Sequence, residues 1–223
     1  MPSAPVHRMR KEEIVWLGNH KCEHGHTYLE HYTCYLKDNP SKVRIGFFDI
    51  ETSNLDANFG IILAYWFKEA NKEKFHGGYI NSRDVIHDEE PDRNLVIKLI
   101  DDLRKFDLVF TYYGTKFDLP FCRTRALHMG LDFPLFGTIK HKDVYYIIKN
   151  KFKLHRNRLE VACRELLGET RKSHFDGNMW RRAVQGDKKS LTYISDHCKD
   201  DVRDLEDLTN KVLDYAYPLW KSI

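Results

Sequence analysis

The chain has 223 residues, of which 42% are hydrophobic, 13% aromatic and 31% charged, with a formal net charge of +3. That length and apolar content build one good-sized domain, or one domain with an extension, and exclude a disordered chain. No apolar run reaches the ~18 residues a membrane-spanning helix needs, and the mild positive charge permits a polyanionic partner without demanding one.

The segment Met1-Pro2-Ser3-Ala4-Pro5 lacks the apolar stretch of a signal peptide. Five cysteines sit in unlike contexts, so a reducing, cytoplasmic setting without a disulfide framework is expected. Residues 1–42 form a head rich in histidine and cysteine. Cys22, His26, His31 and Cys34 supply a four-coordinate set for one structural Zn²⁺, with His24 or His20 able to replace one of them. The competing expectation is a His-rich surface hairpin packed by Tyr28, Tyr32 and Tyr35. Asp38-Asn39-Pro40-Ser41 reads as the turn that separates the head from residues 43–223.

An apolar run from Val43 leads into Phe47-Phe48-Asp49-Ile50-Glu51-Thr52, so a buried strand is expected over 43–52. Residues i and i+2 of a strand share a face, which sets Asp49 and Glu51 side by side at its end. Two adjacent carboxylates at the edge of a core repel and resist desolvation unless a cation lies between them. Oxygen ligands favour a hard ion, Mg²⁺ or Mn²⁺. Strands over 61–68 and 75–80 complete an antiparallel meander, followed by a polar loop over 84–93 and a helix over 92–104. A fourth strand over 106–112, reached across that helix, is expected to lie parallel beside the first.

Gly114 then turns the chain tightly, and Asp118 falls in the first turn of a helix that ends near Gly130. A parallel pairing of strands one and four places Asp118 at the same sheet edge as Asp49 and Glu51. An acidic residue stabilised at a helix start is the plainer explanation of Asp118 taken alone. A fifth strand over 139–144 carries Asp143, a short helix follows over 145–149, and a firmer helix over 158–167 stops at Gly168. Lys149, Lys151, Lys153, Arg156 and Arg158 make a basic run suited to phosphates or to a solvated face. Helices are expected over 177–185 and 190–219. On the second, Tyr193, His197, Asp201 and Asp204 recur at steps of three or four and share one face.

Taken together, Asp-Ile-Glu on the first strand, Phe117-Asp118 at a helix start and His197-Cys198-Lys199-Asp200-Asp201-Val202 on a late helix resemble the DEDD-type 3′–5′ exonucleases of the ribonuclease H-like superfamily. The likeness is to the exonuclease domains of bacteria, archaea and phages and spans about residues 43–215. It implies an α/β fold with a mixed five-stranded sheet, order 3-2-1-4-5, flanked by helices. It also implies a nuclease acting on single-stranded DNA or RNA through two Mg²⁺ or Mn²⁺ ions. By motif position, Asp49 bridges both ions, Glu51 and Asp201 hold the one that activates water, and Asp118 supports the other. The chain departs from the family twice. His197 precedes Asp201 by four residues, where the family has Tyr at four or His at five, so either His197 or Tyr193 orients the water. Tyr113-Gly114 stands where the family carries Asn. Tyr113, Phe117 and Tyr193 offer rings to the substrate, and Lys172 is a candidate phosphate contact. A non-catalytic nucleic-acid-binding module with a zinc head and an endonuclease on the same fold are the alternatives.

Overall fold

The computed structural model describes residues 11–39, 44–171 and 176–216. Lys172 lies outside them, as do the first residue of the expected first strand and the last three of the expected final helix. Five strands form one sheet: β1 (Ile45–Thr52), β2 (Ile62–Glu69), β3 (Phe75–Tyr79), β4 (Leu108–Thr111) and β5 (Lys140–Asp143), in the order β3-β2-β1-β4-β5. β2 runs antiparallel to β1 and β3, while β4 is parallel to both β1 and β5. The expected mixed sheet and its strand order are therefore present.

The strands exist because their apolar residues serve two cores. Phe47 and Phe48 point to opposite faces, as period two requires. Phe48 and Ile50 join Leu95, Leu99, Phe121 and Ala126. These come from the helices α4 (Arg93–Leu103) and α5 (Asp118–His128). Phe47 and Phe110 join Ile148, Ala162, Leu205 and Leu208 on the other face. Those helical residues come from α6 (Val144–Lys151), α7 (Leu159–Leu167) and α9 (Lys188–Val212). Gly168 ends α7 in the left-handed region at φ 89°, where only glycine sits without strain. α8 (Gly177–Ala183) precedes α9, and Asp187 caps α9 by accepting the backbone N–H of Ser190 at 2.9 Å. None of the helices among the described residues is long and apolar enough to cross a membrane.

Three helices arise where none was expected. α1 (Lys11–Asn19) and α2 (Tyr32–Asp38) belong to the head, and α3 (Ser82–His87) replaces the first part of the loop over 84–93. Each is under three turns long, too short to display a 3.6-residue period. α3 is set by its cap, since the Asn81 side chain accepts the N–H of Arg83 at 3.0 Å. The head packs its small core of Leu17, Tyr32, Tyr35 and Leu36 against Ile45 and Leu108, at the start of β1 and β4.

Candidate active site

β1 outruns its parallel neighbour. Pairing with β4 ends at Phe47↔Phe110, and a register irregularity falls between Glu51 and Thr52 on the β2 side. The last residues of β1 therefore border a crevice. The N–H of Ile50, left without a β4 partner, donates to Asp118 Oδ1 at 3.2 Å. That bond ties the first turn of α5 to the stretch between Asp49 and Glu51. α9 crosses the same crevice, and one turn of it separates His197 from Asp201.

The cleft so formed has a volume of about 460 Å³ and is lined by Asp49, Glu51, Asp118, His197 and Asp201, with Tyr113, Phe117 and Trp180 at its walls. Each of Glu51, His197 and Asp201 offers a ligand atom within 4.8 Å of the others, and His197 Nε2 lies 3.9 Å from Glu51 Oε1. The donor set is carboxylate oxygen with one imidazole, which suits a divalent metal ion. Asp118 is 3% exposed. Burial pushes its carboxyl up to about 7, and Asp143 and Asp201 add to the rise against the N–H groups of Asp118 and Ile50, which lower it. Such a concentration of buried negative charge is what a divalent cation relieves. The residues present thus fit the metal ions that ribonuclease H-like nucleases use.

Two supporting residues were not singled out in the sequence. Cys198 Sγ lies 3.4 Å from both the carbonyl oxygen and Oδ2 of Asp49. Burial, reinforced by the charges of Asp49, Glu51 and Asp201, holds its pKa well above the usual thiol range, so the thiol keeps its proton and donates to Asp49. Asp143 clamps the loop after β4: its Oδ1 accepts the N–H of Tyr113 at 2.8 Å and its Oδ2 that of Thr115 at 2.9 Å. Tyr113 adopts φ 67°, a left-handed conformation costly for a tyrosine, while a Cβ on Gly114 would stand 2.4 Å from Thr111 Oγ1. The Asp143 carboxylate and the absent Cβ make that turn feasible, and it delivers Phe117 and Asp118 to the cleft.

Trp180 sets its ring edge-on to His197, with centroids 5.6 Å apart, and Tyr193 stacks on the imidazole at 6.5 Å while meeting the Trp180 ring edge-on at 6.2 Å. Tyr193 is not among the residues lining the cleft. Asp204, expected on the same helical face, turns away. It is buried and accepts Thr170 Oγ1 and the backbone and guanidinium N–H groups of Arg171. In the head, Cys22, His31 and Cys34 converge, and the fourth potential ligand atom beside them is that of His24 rather than His26. The difference has a local cause. The backbone bond from Cys22 N to His26 O, at 2.9 Å, closes a turn whose tip carries His24 back over the two sulfurs.

A family model describing the RNase_H superfamily matches residues 46–213. The chain belongs to that superfamily. No curated protein matches it. Among solved structures, it is similar to the family B DNA polymerase from the hyperthermophilic archaeon Pyrobaculum calidifontis, with a TM-score of 0.61 at 18% identity. The likeness covers 78% of this chain and 25% of that polymerase, so the chain spans about a quarter of its length. At that identity it is a likeness of fold. Membership of the RNase_H superfamily makes this a nuclease fold. The match begins at Gly46, after the head.

Proposed function

We propose that the chain is a metal-dependent 3′–5′ exonuclease that hydrolyses phosphodiester bonds of single-stranded DNA or RNA, with residues 43–223 as the catalytic domain and 1–42 as an extension. The observation that carries this is the convergence of Asp49, Glu51, Asp118 and Asp201, from two strand positions and two separate helices, on one cleft. Asp49, Glu51, Asp118 and Asp201 would hold two Mg²⁺ or Mn²⁺ ions. When bound, a pair about 4 Å apart supplies charge stabilisation to the attacking and leaving oxygens of an in-line displacement.

The protein's own groups do the rest. His197 Nε2, beside Glu51, takes a proton from the attacking water or orients it, and the rings of Trp180 and Tyr193 fix the imidazole plane. Tyr113 and Phe117 present faces on which unstacked bases rest, an interaction worth about 1–3 kcal/mol per base. A cleft of this volume lies in the range of small-ligand pockets and fits a strand end better than a duplex.

The test is incubation of 5′-labelled single-stranded DNA and RNA with Mg²⁺, Mn²⁺ or chelator, beside Asp49→Ala. A descending ladder that requires metal and disappears in the variant is the expected result. Substrate left uncut in every condition refutes the proposal in favour of a binding module. Cuts within a circular single strand refute it in favour of an endonuclease.

A further inference from the structure

The head, which lies before the superfamily match, has a chemistry of its own. Among the described residues of the head, four apolar side chains are buried in its private cluster. A unit of about 40 residues with so small a core needs a covalent or metal staple to hold a single conformation. The cysteines here are free thiols. Four potential ligand atoms meet at one point, all from side chains whose neighbours fix them. Cys22 and His24 ride on the turn closed by the Cys22–His26 backbone bond and an N–H from Gly25 to Cys22 O at 2.9 Å. His31 and Cys34 open α2, with the N–H of Cys34 donating to His31 O at 3.0 Å.

The distances can be compared with a metal's demands. Cys22 Sγ lies 3.7 Å from His24 Nδ1 and 3.4 Å from His31 Nδ1, and Cys34 Sγ lies 3.3 and 3.4 Å from the same two nitrogens. Tetrahedral zinc, with bonds of about 2.3 Å to sulfur and 2.0–2.1 Å to nitrogen, separates sulfur from nitrogen by about 3.6 Å. Cys22, His31 and Cys34 are buried, and all four ligand atoms lie within 4.8 Å of one another. The outer nitrogen of His24 faces Glu23 Oε1 at 3.5 Å, the carboxylate partner that commonly orients a zinc-bound imidazole.

We infer that Cys22, His24, His31 and Cys34 bind one structural Zn²⁺, both histidines ligating through Nδ1. The set is complete and closed, so the ion organises and does not catalyse. It joins the turn after α1 to the first turn of α2 and thereby holds the surface that seats Ile45 and Leu108. Asp49 lies four residues further along β1, about 13 Å away at the usual strand rise, so this site is separate from the nuclease cleft.

The full-length chain, purified without added metal and dialysed, is measured by elemental analysis and, after exchange, by Co²⁺ absorption. One zinc per chain is expected, together with tetrahedral Co²⁺ bands and a thiolate-to-metal charge-transfer band. The last feature separates this site from an all-oxygen and imidazole cleft. His24→Ala is expected to abolish the charge-transfer band or shift it strongly, and His26→Ala to leave it unchanged. The wild-type spectrum decides the matter even where His24→Ala fails to fold. A spectrum without a thiolate band, a Cys22–Cys34 disulfide by mass spectrometry, or a band lost in His26→Ala and kept in His24→Ala overturns the inference.

Discussion

Removing the Asp143 carboxylate should loosen the turn that presents Phe117 and Asp118. Asp143 is 8% exposed and accepts three backbone N–H groups, from Tyr113, Thr115 and Tyr145. The bond to Tyr145 caps α6, and losing it costs about 1 kcal/mol. The other two are charge-assisted, worth about 1.5–3 kcal/mol each when fully buried. Tyr113 and Thr115 are exposed, so water satisfies part of what is lost, and about 1 kcal/mol each is the better figure. Asp143→Ala should therefore cost about 3 kcal/mol, a fall in Tm of about 6–12 °C for a domain of this size. Asp143→Asn keeps one acceptor oxygen and should lose about half as much. Calorimetry reads the stability, and single-turnover kinetics should show weaker strand binding and a higher Mn²⁺ concentration for the half-maximal rate. A Tm of Asp143→Ala within about 2 °C of wild type, or equal losses in the Ala and Asn variants, would refute the clamp.

Three further outcomes follow from other parts of the molecule. Asp92 is fully buried and held by the Arg125 guanidinium and the N–H of Ile62. Arg125→Ala strands that charge and should cost about 3–5 kcal/mol by urea titration, with Asp92→Asn recovering part of it in the double variant. A hydrogen bond from Lys72, aided by His76 and by the charges of Lys72 and Arg44, pulls the Glu69 carboxyl down to about 2 against the opposing effect of burial. Its contribution is complete above the ordinary carboxylate pKa and disappears as pH falls from about 4.5 towards 2, amounting to about 1 kcal/mol once solvent screening around the exposed lysines is counted. Wild type should lose that much more than Glu69→Gln in urea melts across the same window, and equal losses would contradict the assignment. Cys198→Ala should weaken Mn²⁺ binding about 10-fold by freeing Asp49 to rotate, and Cys198→Ser should restore it. Unchanged affinity in the Ala variant would remove Cys198 from the site.

Most of the sheet is legible in the chain because β1, β2 and β4 are largely apolar, and the run over β2 is buried at almost every position. Asp49 and Glu51 were legible for a related reason: two acids at alternate positions ending such a run contradict the burial around them. Asp118 and Asp201 took meaning only in combination, since each alone resembles a helix-start acid or a solvated helix face. Asp143 reads in the chain only as a strand-end residue, because two of its partners are backbone N–H groups 28 and 30 residues away, which leave no trace in side-chain type. Cys198 carries no signal of its role in the chain, since a buried cysteine reads as an ordinary small apolar residue. In the head, spacing could not choose between His24 and His26. That choice belongs to the turn geometry at Gly25, whose φ of 79° redirects the chain.

The proposed function requires Asp49, Glu51, Asp118 and Asp201 to share one pair of ions. The most direct measurement is an anomalous difference map from crystals soaked in Mn²⁺. Two peaks about 4 Å apart are expected, both touching Asp49, one also reaching Glu51 and Asp201 and the other facing Asp118. A map without manganese in this cleft, or with a single ion beyond reach of Asp49, would contradict the claim.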